Sequence, residues 1–227
     1  ENADVQVMLL EAGGQGDSWL VNTPAAAVAM LPTRLNNYAF ETVPQAGLNG
    51  RKGYQPRGKG LGGSSAINAM VYTRGNPYDY DRWAGLGNPG WSYREVLPYF
   101  KKSEDHIFGA SEHHGAGGEM RVSDFADQVH PLCERFLQAG EGLGFVRTPD
   151  FNGEHKEGFG LWQMTIRDGV RESTSNAFLR PALQRSNLTL KTHAHATRVL
   201  IENKKAVGVE CLINGVKQTF TAAKEVI

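Results

Sequence analysis

Cysteine is nearly absent. Cys133 and Cys211 are the only two in 227 residues, so neither a disulfide framework nor a Cys-rich zinc site organises the chain. Long apolar runs are missing too: none approaches the roughly 18 residues that a membrane-crossing helix needs. No signal peptide or lipidation motif is visible. There is no excess of one charge, because 24 Lys+Arg balance 24 Asp+Glu. The chain therefore lacks the basic surplus of a nucleic-acid binder and the acidic surplus of a disordered tail. Internal repeats and low-complexity tracts are also absent. What remains is an ordinary globular balance, 40% hydrophobic and 21% charged, at a length that fits one large or two small domains. Glycine departs from the ordinary. It fills 27 of 227 positions, about twelve per cent against a usual seven or so, and the glycines cluster.

The chain opens on Glu1-Asn2-Ala3-Asp4 and runs at once into Val5-Gln6-Val7-Met8-Leu9-Leu10, which has the length and composition of a buried parallel strand. It closes on Lys224-Glu225-Val226-Ile227, which reads as a strand just starting. Buried strands need ladder partners, so the chain reads as an internal piece of a longer polypeptide, incomplete at both ends.

Between these ends, residues 24–31 read as a short helix with Pro24 in its first turn. Residues 38–43 read as a strand, followed by hairpin turns at Asn49-Gly50 and Lys52-Gly53. Ser64 and Ser65 are placed to cap a helix over 66–72. Asn76-Pro77 and Trp91-Ser92 open two more helices. A further one covers 131–141, with Leu132, Phe136 and Leu137 on its apolar face. Residues 103–118 read as a long polar surface loop, 159–166 as a strand and 173–183 as a capped helix. From Leu188 on, strands at 188–191, 196–202, 207–212 and 218–221 with tight turns at 203–205 and Asn214-Gly215 make a β-meander.

The densest feature is Pro56-Arg57-Gly58-Lys59-Gly60-Leu61-Gly62-Gly63-Ser64-Ser65. Residues 53–60 spell G-x-x-x-x-G-K-G, but a phosphate-hydrolysing P-loop needs Ser or Thr after the Lys to hold magnesium, and Gly60 stands there. Residues 58–63 spell G-x-G-x-x-G, yet no hydrophobic strand precedes them, as the dinucleotide fingerprint requires. A Gly-rich turn running into two serines still exposes backbone N–H groups to which phosphates or rings can come close, with Arg57 and Lys59 adding positive charge. A tight turn where two backbones pack explains the same residues equally well.

Residues Gly58 to Asn68, followed by Tyr72, Gly75 and Asp81 at matching spacing, resemble the first signature of the glucose–methanol–choline oxidoreductases, FAD-dependent enzymes acting on alcohols. Flanking phrases agree: Leu9-Leu10-Glu11-Ala12-Gly13, Tyr72-Thr73-Arg74-Gly75-Asn76, Asp150-Phe151-Asn152-Gly153 and Ala206-Val207-Gly208-Val209. The resemblance covers essentially the whole chain, nearest the choline-dehydrogenase-like and aliphatic-alcohol-dehydrogenase branch. It implies an α/β fold: an FAD-binding Rossmann-like domain with a β-meander, plus part of a substrate-binding domain. Residues 1–105 and 188–227 would belong to the FAD-binding domain and 106–187 mostly to the substrate or cap region. Glu11 would accept the adenosine ribose hydroxyls. Arg57, Lys59, Gly62, Gly63 and Ser64 would line the FAD. Asn68, Ala69, Met70 and Val71 would run beside the isoalloxazine ring, and the Ala196 backbone would pair with adenine. Some members attach FAD through a His in this segment; Ile67 occupies the place before Asn68, which implies non-covalent FAD.

The resemblance also implies a reaction: a primary alcohol, aliphatic first and choline second, is oxidised to an aldehyde by hydride transfer to flavin N5. Electrons then pass to a quinone-like carrier or to oxygen. The family's phosphate-binding GxGxxG, its second signature and its catalytic His are not in this sequence, so no residue here is assigned a catalytic role and the chain by itself is expected to be inactive. A hydroxynitrile lyase on the same frame and a non-catalytic fragment without cofactor are the alternatives. Location in the cytoplasm or at a membrane face is expected.

Other residues suggest less. His113 and His114 sit in a polar loop, and His193 and His195 stand two apart on an expected strand, but neither group has a third ligand nearby, so no metal is expected. His106, His130 and His155 read as surface residues. Trp19, Trp83, Trp91 and Trp162 read as core or domain-contact residues. No G-x-S-x-G elbow supports a serine hydrolase.

Overall fold

The computed structural model describes residues 2–227; Glu1, the first residue of the expected 1–105 segment, lies outside them. The chain begins with strand β1 (Val7–Leu10), helix α1 (Trp19–Asn22), a 3-10 turn at Pro24–Ala26 leading into α2 (Ala27–Met30), and the short strands β2 (Phe40–Glu41) and β3 (Tyr54–Gln55). Then come α3 (Pro77–Gly85), α4 (Tyr93–Ser103), β4 (Glu104–His106), β5 (Met120–Val122), α5 (Pro131–Gly142), β6 (Ile166–Arg167) and β7 (Val170–Arg171). A π-helical turn at Ser175–Leu179 continues as α6 (Arg180–Ala182), followed by β8 (Leu188–Lys191), β9 (His195–Glu202), β10 (Lys205–Ile213) and β11 (Val216–Thr221).

Two compact units result. Residues 2–69 and Ser173–Ile227 form one, and Met70–Glu172 the other. The breaks between these units fall at 69/70 and 172/173. They divide the chain by backbone proximity, whereas the expected segments 1–105, 106–187 and 188–227 divide it by cofactor and substrate role, which is a different division.

In the first unit β1 pairs in parallel with β8, Val7 opposite Leu188 through Leu10 opposite Lys191. The Asn187 amide fixes the entry by donating to the Val5 carbonyl at 2.8 Å. The apolar run forms the expected parallel strand but not a buried one: Val7, Met8 and Leu9 are 46%, 45% and 38% exposed, because β8 is its one strand neighbour among the described residues. The meander also differs from expectation. β9, β10 and β11 form an antiparallel sheet, with left-handed turn residues at Asn203-Lys204 and Asn214-Gly215, whereas β8 leaves it for β1. No strand forms at 224–227.

The first unit's core is Val21, Met30, Ala66 and Ile67, flanked by Leu20 and Leu31. It fixes the Gly-rich segment from behind. The helix expected over 66–72 is absent: Gly63–Ala66 makes a 3-10 turn and the chain then extends, with left-handed backbone at Gly62, Gly63 and Met70 (φ 94°, 53° and 61°). Ser64 and Ser65 do not cap a helix. The Ser64 hydroxyl accepts from the Gly58 N–H at 3.1 Å. The Ser65 hydroxyl donates to the Gly62 carbonyl at 2.5 Å and accepts from the Thr174 N–H at 2.9 Å.

In the second unit, α3 and α4 open at Asn76 and Ser92 as the sequence predicts, and capping boxes closed by Asp79 and Glu95 hold both starts. The segment expected as a surface loop instead contains β4 and β5, paired in parallel, with Glu104, His106 and His114 buried. The strand expected over 159–166 is broken into isolated bridges at Phe159 and Met164, with Ile166 opening β6. On α5 Leu137 is buried, but Leu132 and Phe136 are 69% and 64% exposed. The four tryptophans are all exposed rather than core.

Gly58 has no room for a side chain: a Cβ there would lie 1.9 Å from the Gly63 carbonyl oxygen, which is backbone and cannot swing aside. Gly58→Ala should destabilise the protein by about 3 kcal/mol or more. Gly85→Ala, in open space at the end of α3, should be neutral or slightly stabilising. Thermal melts of both variants check this.

Candidate cofactor site

Glu11 directly follows β1 and is held through its backbone on both sides: its N–H donates to the Lys191 carbonyl at 2.9 Å, and its carbonyl accepts from the Ala194 N–H at 2.8 Å. Its carboxylate accepts from the Gly13 N–H at 2.6 Å, an Asx-like turn closed at a strand end. The Gly-rich segment comes up against this turn. Leu61 donates to the Gly14 carbonyl at 3.0 Å, and a Cβ on Gly13 would sit 2.4 Å from the Lys59 carbonyl. The buried amide of Asn37 locks the other side, donating to the Thr33 carbonyl at 2.8 Å and accepting from the Arg57 N–H at 2.9 Å.

The result is a cleft of about 310 Å³ in which Glu11, Gly62 and Gly63 face Thr174 and Ser175. Lys59 stands over the Tyr38 ring, 5.4 Å from its centroid, and the Tyr38 ring lies 6.1 Å from that of His195. Burial and then the negative charge of Glu11 raise the Tyr38 phenol above its ordinary pKa. Residues from three distant stretches, 11–13, 38–63 and 194–195, thus meet in one unit.

Of the residues named from sequence, Glu11, Gly62 and Gly63 line the cleft. Arg57, Lys59 and Ser64 lie on the same Gly-rich segment; the Arg57 guanidinium donates to the Pro56 carbonyl at 2.6 Å. Asn68 is exposed at the segment's end, its N–H donating to the Ser64 carbonyl at 2.9 Å, and Ala69 follows, also exposed. Ala196 is exposed on β9, opposite Cys211. Met70 and Val71 belong to the second unit: the Met70 carbonyl accepts from the Thr165 N–H at 2.8 Å and Val71 bridges to Met164. Thr174 and Ser175 were not singled out from sequence as cofactor residues; they stand 110 residues beyond the Gly-rich segment, and no local signal links them.

The second unit holds a buried ionic cluster that the sequence did not reveal. Arg74 pairs with Glu104 at 3.0 Å. His114 sits between two carboxylates, Nδ1 3.0 Å from Glu104 and Nε2 2.7 Å from Asp150. The Gly115 N–H donates to Glu104 at 2.7 Å, and Asn152 accepts from the Arg74 N–H at 2.8 Å. Two cations face two anions, so the burial is charge-balanced. Burial alone would lower the His114 pKa, but the hydrogen bonds to Asp150 and Glu104 outweigh it and push it up to about 9. Glu104 and Asp150 resist the raising effect of burial because His114 holds both below their ordinary values. His106, stacked on His114 at 3.9 Å, is lowered by burial. The sequence places His114 in a polar loop and reads His106 as a surface residue, but both are buried. His193 lies before β9 in a left-handed conformation, so it shares no strand face with His195. Among the described residues no group of three or more His, Cys, Asp or Glu side chains is arranged to hold a metal, and no helix is long and apolar enough to cross a membrane.

The profile of the GMC oxidoreductase family matches residues 8–227. The chain belongs to that family. It is 44% identical over 222 residues to an oxygen-dependent choline dehydrogenase of Photobacterium profundum, covering 97% of this chain and 39% of that protein. It is 43% identical over 214 residues to an alcohol dehydrogenase [acceptor] of Pseudomonas putida, covering 94% and 39%. Among solved structures, pyridoxine 4-oxidase from Mesorbium loti superposes with a TM-score of 0.90 at 33% identity, covering 97% of this chain and 43% of that one. The chain thus spans about 40% of the length of the curated relatives it matches. The matched family domain is the FAD-binding domain of these oxidoreductases. The residues present fit that group: two glycines press backbone on backbone beside an anchored carboxylate, and the cleft wall carries a buried Ser175 hydroxyl with no hydrogen-bond partner.

The His114 cluster sets a pH window. His114 has a raised pKa, so its contribution, on the order of 3 kcal/mol, is complete below pH 6.5 and is lost as pH rises through about 9. Glu104 and Asp150 have lowered pKa values, so theirs is complete above their ordinary values and lost as pH falls. Melting temperature should therefore fall from pH 7 to pH 10 in the wild type. His114→Gln should melt lower at pH 7 and show a flatter alkaline limb.

Proposed function

We propose that this chain forms the FAD-holding part of an oxidoreductase that converts a primary alcohol to an aldehyde. The cleft in which Glu11 faces the Gly-rich turn supports this most directly. When bound, FAD supplies the two-electron acceptor that no side chain provides. Glu11, already oriented by the Gly13 N–H, accepts the ribose hydroxyls. Gly62 and Gly63 admit the dinucleotide to close backbone contact, and Arg57, Lys59 and Ser64 supply positive charge and a hydroxyl alongside. The Asn68 amide and the backbone of Ala69, Met70 and Val71 stabilise negative charge beside the ring system. The Ala196 backbone pairs with adenine. Attachment is non-covalent, with Ile67 where some relatives carry a His.

No residue of this chain is assigned the proton transfer from the alcohol. His106 and His114 are committed to the buried cluster, so neither is available as a base. An aliphatic alcohol is the first substrate class. Choline is the second reading, favoured by the printed names of several relatives. A quinone-like carrier or oxygen would be the electron acceptor.

Heat denaturation of the purified protein tests the cofactor. A flavin spectrum in the supernatant is expected. A yellow pellet would contradict non-covalent attachment, and a colourless sample throughout would contradict FAD binding. Glu11→Gln should weaken FAD binding about ten- to a hundredfold, since it replaces charge-assisted hydrogen bonds with neutral ones. Anaerobic bleaching of the flavin by alcohol separates an oxidoreductase from a hydroxynitrile lyase.

A further inference from the structure

Four hydroxyls crowd the wall of the cleft behind Gly62, and three are accounted for. Ser65 donates to the Gly62 carbonyl and accepts from the Thr174 N–H. Thr174 donates to the Gly62 carbonyl at 3.3 Å. Ser173 accepts from the Asn176 N–H at 3.2 Å. Ser175 differs. It is 1% exposed and its hydroxyl has no hydrogen-bond partner, although it lines the same cleft as Glu11. A buried hydroxyl without a partner is costly and rare in a native structure, and points to a missing partner.

The surroundings define that partner. Gly62, left-handed at φ 94°, leaves its Cβ position empty 3.3 Å from the Cβ atoms of Ser173 and Ser175, so the wall is close but not filled. Ser175 also opens a π-helical turn, a widened geometry that recurs at functional sites. The cleft contains one carboxylate, apolar surface from Leu9, Leu61 and Leu179, and no Lys or Arg. A phosphate would meet the Glu11 charge without a compensating cation. A sugar fits: hydroxyls for Glu11 to accept, an oxygen for Ser175 to donate to, and C–H faces against leucine.

We propose that Ser175 is a further cofactor-binding residue, its hydroxyl donating to the ribosyl portion of the dinucleotide whose hydroxyls Glu11 accepts. This rests on the FAD assignment made above. Ser175 and Glu11 then grip one sugar from two stretches that are 164 positions apart in sequence.

FAD titration of the apoprotein, followed by quenching of flavin fluorescence, tests this together with apoprotein melting temperatures. Ser175→Ala should weaken FAD binding about two- to tenfold, the range for one hydrogen bond. Its apoprotein should melt at or above the wild-type temperature, because the change removes an unpaired buried hydroxyl. Ser175→Thr, which keeps the hydroxyl, should bind more tightly than Ser175→Ala. Wild-type affinity in Ser175→Ala would overturn the inference. So would a lower melting temperature of its apoprotein, which would give the hydroxyl an internal role. Absence of FAD binding in the wild type would overturn the FAD assignment itself, so the two failures are distinguishable.

Discussion

Backbone meets backbone at Gly58 and Gly13, and the first unit is arranged around that contact. Residues 58–63 fold back so that the Gly63 carbonyl occupies the place of a Gly58 Cβ, while the Lys59 carbonyl does the same at Gly13. The strand end carrying Glu11 can approach the Gly-rich turn only because neither position has a side chain. The Asn37 amide, the Leu61 N–H and the Ser65 hydroxyl then close the remaining hydrogen bonds, so that few buried polar groups are left over. Ser175 is the exception in this region.

The second unit is held differently. Its buried apolar side chains are few, with Val122, Leu137 and Ile166 among them, and much of its interior is polar. Arg74, Glu104, His114 and Asp150 link four separate stretches through charge-assisted hydrogen bonds. Such a cluster contributes modestly as a whole, since each ion gives up water, but losing one member leaves a buried charge unpaired at about 3–5 kcal/mol. It fixes which loops lie together more than it adds to total stability, and it occupies the histidines that a search for catalytic groups would otherwise favour.

Features written in adjacent residues were legible in the sequence. The helix starts at Asn76 and Ser92, the tight turns at Asn203 and Asn214, and the Gly-rich signature all depend on neighbours within a few positions. Ser64 and Ser65 misled because a helix cap and a turn brace use the same hydroxyls; the left-handed Gly62 and Gly63 decide for the turn. The apolar run at β1 reads as buried because hydrophobicity reports a need for cover and not its source. Pairings across long separations, β1 with β8, Arg74 with Glu104, His114 with Asp150 and Gly62 with Thr174, leave no local trace. The site was accordingly half legible: Glu11 and the glycines carried a pattern, whereas the opposite wall did not.

Amide hydrogen exchange with and without FAD tests the central claim most directly, that the Glu11 turn and the Gly-rich segment together hold the dinucleotide. Slower exchange on adding FAD is expected at residues 11–14 and 58–64, with the cluster around His114 unchanged. FAD binding that leaves both of those segments exchanging as before would contradict it.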